Sequence, residues 1–461
     1  MKAVASTAVK KKESGGSGLN ITLLMAVALI IGGLTIAFNA VFGAKTATPQ
    51  TSAPQTSAVQ SVGDILTVGA GTASGYADRI IATSQERIKT NPQDYSALGE
   101  LGLAFQQKAR ETNDPSYYTQ AQDALTKALA IKPDYYDAMA GLGTLNLSLH
   151  AFRTAEDWGL KAQALIPERA YGYGVVGDAQ VELGDYEAAV LSFQKMVDLR
   201  PDLSSYSRVS YARELYGDIP GAIEAMQSAI QAGGPAAENT AWCRFQLGNL
   251  YFSSGQLDKA EKTFNEALMS YPNYLHAFAG LGQVSWAKGD TTQAIEYYKK
   301  AVATVPLPQY LTALGDLYTI AGDKANAKEQ YDTVLYIYQV FAASGVNVDI
   351  EKAGFLVDHD QDIKSAVTMA ESATTVRNDV NSLDILAWAY YKDGQFDKAL
   401  ATTQKSMRLG TQNANFYYHL GMIQVALGKD VEGKANIQKA LATNPHFSIL
   451  HAVSAADSVR K

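Results

Sequence analysis

The chain has 461 residues, which is long for one hydrophobic core but ordinary for a protein built from stacked repeats. Hydrophobic residues make up 47% and charged residues 18%, as in ordered, helix-rich proteins. The formal net charge is −7, and residues 1–45 are basic, so the main body is more acidic still, which argues against nucleic acid as a partner. Cys243 is the single cysteine, so no disulfide can form within the chain.

The first 42 residues have the pattern of a membrane anchor. Residues 1–18 are polar and contain Lys10–Lys12, and we expect them to form a cytoplasmic tail. Residues 19–42 carry no charge, and about 20 apolar residues suffice for a transmembrane helix. A signal peptide has an apolar core of only about 7–15 residues, so we expect an uncleaved span. A cleaved signal and a buried core helix are the alternatives.

The lysines before the span predict its orientation. By the positive-inside rule, lysines and arginines that flank a span stay on the cytoplasmic side. We therefore expect a single-pass protein of the cell membrane, with its N-terminus in the cytoplasm and its main body on the outer face. Small residues within residues 19–42 leave self-association of the span open.

Residues 43–75 read as a linker. They are rich in Thr, Ser, Pro and Gln, and the five residues Pro49–Ala53 are repeated as Pro54–Ala58. Such a composition cannot build a core, so we expect a flexible stalk, either bare or O-glycosylated.

The segment from Arg244 to Pro272 holds the clearest repeat unit. A side chain larger than Gly248 or Ala260 would hold two crossing helices apart, and Pro272 cannot continue a helix. The full set of positions is Leu247, Gly248, Tyr251, Ala260, Phe264, Ala267 and Pro272. In this order they resemble the tetratricopeptide repeat, whose pattern spans about 34 residues. The first aromatic residue of that pattern is replaced by Arg244.

The same template fits ten consecutive units. Its first small position holds Gly102, Gly143, Gly177, Ser210, Gly248, Gly282, Gly315, Gly354, Ala387 and Gly421. The resemblance implies an all-α fold, a right-handed solenoid of about ten helix-turn-helix repeats over residues 76–446. A half-repeat at residues 76–89 is expected to cover its first end, and a capping helix over residues 447–461 its last.

The seventh unit lacks its terminal proline. Its second helix is therefore expected to run on through Val334–Phe341, which is apolar on every side. This run either packs inside the chain against the eighth repeat or contacts another chain.

A search for catalytic chemistry finds little. Gly172–Gly177 matches G-x-G-x-x-G but falls within a predicted helix, whereas a dinucleotide site needs that motif between a strand and a helix. Asp358, Asp360 and Asp362 begin like a calcium loop but lack its glycine and its final glutamate, so helix capping is the preferred interpretation. His446 and His451 do not have the spacing of a helical metal pair. We expect no enzyme activity, cofactor or metal.

The remaining candidate site is the concave groove of the array. In the resembled family, fixed positions of each first helix face this groove. Carried over, they are Tyr171, Arg208, Tyr211, Trp242, Phe245, Asn249, Phe252, Trp286, Phe355, Trp388, Tyr391, Tyr418 and His419. Aromatic residues are enriched at binding hot spots. The alternative is that several of them fill space between helices.

These patterns predict a membrane-tethered scaffold that holds a protein or peptide partner in its groove. Family members that clamp a terminal carboxylate use Lys, Arg and Asn, and this chain keeps Asn249 but lacks the basic cluster. Two other functions stay open: binding of an extended polysaccharide in an export or cell-envelope system, and the reversed topology of an anchored receptor that faces the cytosol.

Overall fold

The computed structural model describes residues 75–235 and 238–460, and every regular element in those two ranges is an α-helix. In chain order the helices are α1 Tyr76–Thr90, α2 Tyr95–Thr112, α3 Ser116–Ile131, α4 Tyr136–Ser148, α5 Phe152–Leu165, α6 Ala170–Leu183, α7 Tyr186–Leu199, α8 Leu203–Leu215, α9 Ile219–Ala232, α10 Glu238–Ser253, α11 Leu257–Ser270, α12 Leu275–Ala287, α13 Thr291–Thr304, α14 Pro308–Ile320, α15 Lys324–Ala343, α16 Asp349–Asp358, α17 Ile363–Thr374, α18 Val380–Lys392, α19 Phe396–Ser406, α20 Ala414–Ala426, α21 Asp430–Thr443 and α22 Ala452–Arg460.

Helices α2 to α21 form ten consecutive pairs, flanked by α1 and α22. Each helix packs chiefly on its neighbours in sequence, which is the organisation of an α-solenoid. The predicted all-α solenoid is therefore confirmed over the described residues. Its right-handed sense stays a prediction.

The predicted membrane anchor lies outside the described residues. The tail of residues 1–18, the span of residues 19–42 and the linker up to residue 74 all belong to the part of the chain that the structure does not describe. No helix within residues 75–235 and 238–460 has the length and apolar composition that crossing a bilayer requires.

Aspartates fix where several helices begin. The side chains of Asp94, Asp218, Asp290 and Asp323 each accept a hydrogen bond from the backbone N–H three residues further on. Such a cap satisfies a donor that the first helical turn leaves free, and it stabilises a helix by about 1 kcal/mol.

Small residues let the two helices of a pair approach each other closely. A Cβ atom added to Gly248 in α10 would lie 2.3 Å from the ring of Phe264 in α11. The equivalent atom on Gly177 would lie 2.3 Å from Phe193. At the second crossing position the alanines are at most 4% exposed, and they are Ala121, Ala155, Ala189, Ala222, Ala260, Ala294, Ala327, Ala366 and Ala399. The steric reason proposed for the repeat pattern therefore holds in the structure.

The array meets itself after one superhelical turn. His150 Nδ1 lies 2.7 Å from the carbonyl oxygen of Asn347, and the backbone N–H of Val380 donates to the Tyr186 hydroxyl at 2.7 Å. Thr411 donates to the carbonyl of Leu215. These partners are 194 to 197 residues apart, which is roughly six repeats of about 34 residues. We call this line of contacts the seam.

The seam joins the two edges of the helical ribbon. Turns within a pair lie on one edge and turns between pairs lie on the other. The turn at Gly184 is of the first kind and meets Asn378, which is of the second kind. Gly184 has a φ of 84°, and a Cβ atom there would lie 2.5 Å from the Asn378 carbonyl oxygen, so only glycine satisfies both the turn and the contact.

The long helix α15 packs inside the chain. Val334 and Tyr338 are buried, and Leu335, Ile337 and Phe341 pack against a cluster that contains Val346, Val348 and Ile350 at the start of the eighth repeat. Among the hydrophobic residues of this run only Tyr336 is largely exposed, at 64%. Of the two interpretations of Val334–Phe341, the structure supports internal packing.

Gly248→Ala and Gly354→Ala form a matched test of the helix crossing. Phe264 is fully buried and cannot make room for a methyl group on residue 248, so we expect Gly248→Ala to lower the free energy of unfolding by about 1–3 kcal/mol. A Cβ atom on Gly354 would lie 3.5 Å from Ile385, an ordinary contact, so this variant should be neutral or slightly more stable. Chemical unfolding followed by circular dichroism measures both. Equal loss of stability in the two variants would contradict the assignment.

Candidate functional site

The predicted groove residues all lie in the first helices of their pairs. Tyr171 lies in α6, Arg208 and Tyr211 in α8, Trp242, Phe245, Asn249 and Phe252 in α10, Trp286 in α12, Phe355 in α16, Trp388 and Tyr391 in α18, and Tyr418 and His419 in α20. Their exposure divides them into an accessible group and a buried group. Whether any of them contacts a partner stays a prediction.

Two aromatic residues remain accessible in neighbouring repeats. Tyr211 is 38% exposed and Trp242 is 37% exposed, the largest values among the predicted residues that the structure describes. The half-buried residues are Tyr171, Arg208, Phe245, Asn249, Trp286 and Tyr391. A partner that approaches the inner face can therefore contact the fourth and fifth repeats directly.

Five of the predicted groove residues are buried instead. They are Phe252, Phe355, Trp388, Tyr418 and His419, with exposures from 3% to 9%. Their side chains fill space between helices, which was the alternative interpretation of the aromatic pattern. An external partner cannot contact them in this conformation.

Trp388 is the centre of the largest buried aromatic group. Its ring stacks on Tyr391 at a centroid distance of 4.6 Å and on His419 at 4.2 Å. The indole Nε1–H donates to Asp358 Oδ1 at 3.0 Å, and His419 Nδ1 lies 2.9 Å from Asp384 Oδ2. The indole N–H of Trp388 and one ring nitrogen of His419 thus have partners, and the stacked rings pack between the eighth to tenth repeats.

Arg208 joins the third and fourth repeats. Its Nε and Nη2 donate to the two carboxylate oxygens of Asp178 at 2.8 and 2.6 Å, and its Nη1 donates to Ser204. Burial opposes the charge of Arg208, but Asp178 outweighs this effect and the net pKa of the guanidinium is raised. Arg208 therefore orients α8 against α6, and its charge is already neutralised by Asp178.

Phe245 belongs to a second aromatic group. Its ring centroid lies 5.2 Å from that of His276, and His276 Nδ1 lies 2.5 Å from the Tyr310 hydroxyl. Burial lowers the pKa of His276 to about 4, so the imidazole is neutral at physiological pH. This group supports the inner face of the fifth to seventh repeats without adding charge.

Carboxylates surround the accessible ring of Tyr211. Burial, and then the charges of Glu182, Asp379 and Glu214, raise the pKa of the Tyr211 hydroxyl well above its ordinary value. The hydroxyl therefore stays protonated and can donate a hydrogen bond. Burial alone raises the pKa of Glu214 to about 7. This part of the inner face combines an exposed aromatic ring with acidic side chains, and Glu214 becomes mostly ionised only above about pH 7.

Arg377 at the seam neutralises only part of this charge. Its Nε donates to Glu182 Oε2 at 2.8 Å, its Nη1 contacts Glu351, and Asp379 lies 3.4 Å away. Burial raises the pKa of Glu182, although Arg377 opposes this effect. One cation therefore faces three carboxyl groups, and burial favours the neutral forms of Glu182 and Glu214.

The three aspartates that the sequence places close together have different contacts. Trp388 donates to Asp358, Lys392 donates to Asp360 at 2.7 Å, and Asp362 caps α17. The capping interpretation thus holds for Asp362, whereas Asp358 and Asp360 accept hydrogen bonds from side chains of the ninth repeat. Within residues 75–235 and 238–460 no group of three His, Cys, Asp or Glu side chains is arranged to hold a metal ion.

Several residues of the inner face and the seam escaped sequence reasoning. Glu182 lies near the end of α6 and Arg377 lies in the connection between α17 and α18, and neither position carries a recognisable sequence motif. Their ion pair forms because the superhelix brings these distant repeats together. His446 and Phe447 contact groove residues directly, and their aromatic character beside Pro445 was the only available signal.

Glu214→Gln tests the acidic environment of Tyr211. An unfolded glutamate titrates near 4.5, whereas folded Glu214 titrates near 7, so the folded chain holds more protons in this interval and stability falls as the pH rises through it. We expect Glu214→Gln to raise the free energy of unfolding above pH 7 by about 1–3 kcal/mol and to have little effect below pH 4.5.

Urea unfolding at pH values below and above this interval measures the effect. Glu86→Gln is the control, since Glu86 lies exposed on α1. A stability difference between Glu214→Gln and the unchanged chain that does not vary with pH would contradict the assignment.

Comparison with known proteins agrees with this architecture. Sequence profiles of the tetratricopeptide repeat match residues 170–203, 245–310 and 308–340. The profile described as anaphase-promoting complex, cyclosome, subunit 3 matches residues 359–440.

Two curated relatives carry the same repeat in their names. The TPR repeat-containing protein YpiA of Bacillus subtilis is 23% identical over 272 residues, covering 58% of this chain and 62% of the relative. Tetratricopeptide repeat protein 36 of Mus musculus is 28% identical over 124 residues, covering 27% of this chain and 66% of the relative. The chain thus spans less than two thirds of the length of either relative.

Among solved structures, the human IFIT1 dimer with m7Gppp-AAAA is 14% identical and has a TM-score of 0.45, with 82% of this chain and 92% of that chain covered. The profile matches and the two curated relatives support the assignment of this helical array to the tetratricopeptide repeat family.

Proposed function

We propose that this chain is a membrane-tethered tetratricopeptide repeat scaffold that binds protein partners or extended peptides along its inner face. The observation that supports this function best is the exposure of Tyr211 and Trp242 in adjacent repeats. Aromatic side chains provide large contact areas at low entropic cost and are enriched at binding hot spots. The proposed role is non-catalytic.

The charge around Tyr211 favours a basic partner. No cation among the described residues lowers the pKa of Glu214, and Arg377 is shared among three carboxyl groups. A Lys or Arg side chain of a bound peptide can pair with Glu214 and lie over the ring of Tyr211. The proposed ligand is therefore an extended peptide segment that carries positive charge.

The tether of the proposal comes from the sequence. Residues 19–42 are long and apolar enough to span a bilayer, and Lys10–Lys12 precede them. In this arrangement the repeats are presented on the outer face of the cell membrane.

Tyr211→Ala and Trp242→Ala should each weaken the binding of basic peptides by about tenfold or more, because each removes an accessible aromatic contact. The measurement uses the full chain in detergent and an array of synthetic peptides of equal length in basic and acidic versions. Tyr336→Ala is the matched control, since Tyr336 is an exposed aromatic residue outside the predicted groove.

Unchanged peptide binding in both groove variants would contradict this proposal. Capture of an extended polysaccharide, weakened by the same two substitutions, would instead favour the envelope function.

Added protease should cleave the repeats on intact cells. A tag placed before Lys10 should remain protected until the membrane is permeabilised, because the tail is expected to lie in the cytoplasm. Immunoblotting for both ends measures the outcome, with permeabilised cells as the control. Protection of the repeats in intact cells would indicate the reversed topology, and release of the chain without detergent would contradict the tether.

A further inference from the structure

The C-terminal segment, residues 444–460, runs along the inner face of earlier repeats. The ring of His446 lies 5.8 Å from that of Trp286 in α12, at an angle of 84°. The ring of Phe447 lies 5.1 Å from that of Tyr418 in α20. Because α12 and α20 belong to the sixth and tenth pairs, the segment reaches back across the inner face. A helix that only caps the last repeat does not make these contacts.

His451 contacts the first helices of three neighbouring repeats. Its ring stacks on Tyr418 at 5.6 Å and meets the ring of Trp388 edge-on at 5.9 Å. Its Nε2 lies 3.6 Å from Asp358 Oδ1. One imidazole thus contacts the eighth, ninth and tenth repeats, and in the ninth and tenth it does so through residues at groove positions.

One face of the segment packs against the array, and the opposite face is exposed. Ile449 packs with the apolar cluster of α12 to α14, and Ala452 and Ala455 of α22 are buried. Val453 on the opposite face of α22 is 68% exposed. This is the pattern of an amphipathic ligand lying in a groove.

Three aromatic residues at groove positions are covered by the C-terminal segment. Trp388 and Tyr418 contact it and are buried, and Trp286 contacts it and is half-buried. Tyr211 and Trp242, in the fourth and fifth repeats, keep more than a third of their surface exposed. The segment therefore accounts for part of the difference in exposure along the inner face.

We propose that residues 444–460 are an intramolecular ligand of the sixth and eighth to tenth repeats, and that this surface binds an external peptide of the same chemistry only when the segment is displaced. That chemistry is a Phe and two His side chains followed by a short helix with a small-residue face. The proposal rests on the proposed function in assuming that the inner face binds peptides, but it concerns repeats other than those of Tyr211 and Trp242.

The covalent connection explains why the surface is closed in the resting chain. A segment attached by a short connection acts at an effective concentration on the order of millimolar. The surface is open to a free peptide for only a small fraction of the time, and the apparent affinity for that peptide is the intrinsic affinity multiplied by this fraction. Substitutions that weaken the binding of the attached segment to the inner face should therefore strengthen the binding of a free peptide.

A fluorescent peptide with the sequence of residues 444–461 is the probe. Binding is followed by anisotropy with the full chain in detergent, as the unchanged protein, the double variant Phe447→Ala/His451→Ala, and the control Val453→Ala. The double variant weakens only the attached copy, because the probe keeps both aromatic side chains. We expect its affinity for the probe to be about tenfold or more above that of the unchanged chain, and Val453→Ala to match the unchanged chain.

Equal affinity of the unchanged chain and the double variant would overturn the proposal. So would absence of probe binding by a double variant whose circular dichroism shows a folded array. The assay does not vary Tyr211, Trp242 or the charge of the probe, whose Arg460 and Lys461 are the same in every measurement, so its outcome is read separately from that of the proposed function.

Hydrogen exchange on the unchanged chain provides a second measurement that needs no substitution. A displaceable segment opens without unfolding the array, so amides of α22 should exchange faster than those of α20 and α21. Exchange of α22 only together with α20 and α21 would show that the segment is a fixed part of the fold, which would overturn the proposal.

Discussion

The close approach of two helices at a residue without a side chain is the constraint on which this structure depends. At Gly248 the ring of Phe264 occupies the space that a Cβ atom would need, and the same arrangement occurs at Gly177 with Phe193. The close approach fixes the geometry of each pair, and the geometry of each pair fixes the small rotation to the next. Over roughly six repeats of about 34 residues this rotation brings the two edges of the ribbon into contact at the seam.

The pairs could be predicted from sequence because their determinants are local and steric. A glycine at one crossing position and an alanine at the next leave few alternatives to a tight helix pair, and the buried alanines from Ala121 to Ala399 show this directly. Gly354 is the exception, since a Cβ atom there would make an ordinary contact with Ile385. In that repeat the pattern identified the crossing position, although the structure shows no steric need for glycine there.

The inner face was less predictable because its accessibility depends on contacts distant in sequence. Position within the repeat placed Trp388 and Tyr418 in first helices as expected, but nothing in their own repeats shows that His451 covers them. The apolar spacing after Pro445 is the same whether a helix caps an end or lies along a groove. Likewise the pairing of Arg377 with Glu182 requires the accumulated rotation of the intervening repeats, which a local pattern does not contain.

The seam also limits how this protein can change in length. An open solenoid gains or loses a unit by gene duplication or deletion, since each unit contacts only its neighbours. Here an added unit between Tyr186 and Val380 would move one edge by a whole repeat and separate the hydroxyl of Tyr186 from the N–H that it meets at 2.7 Å. The contacts at the seam therefore depend on the number of units inside this interval, whereas a unit added at either end would leave the contact between Tyr186 and Val380 in place.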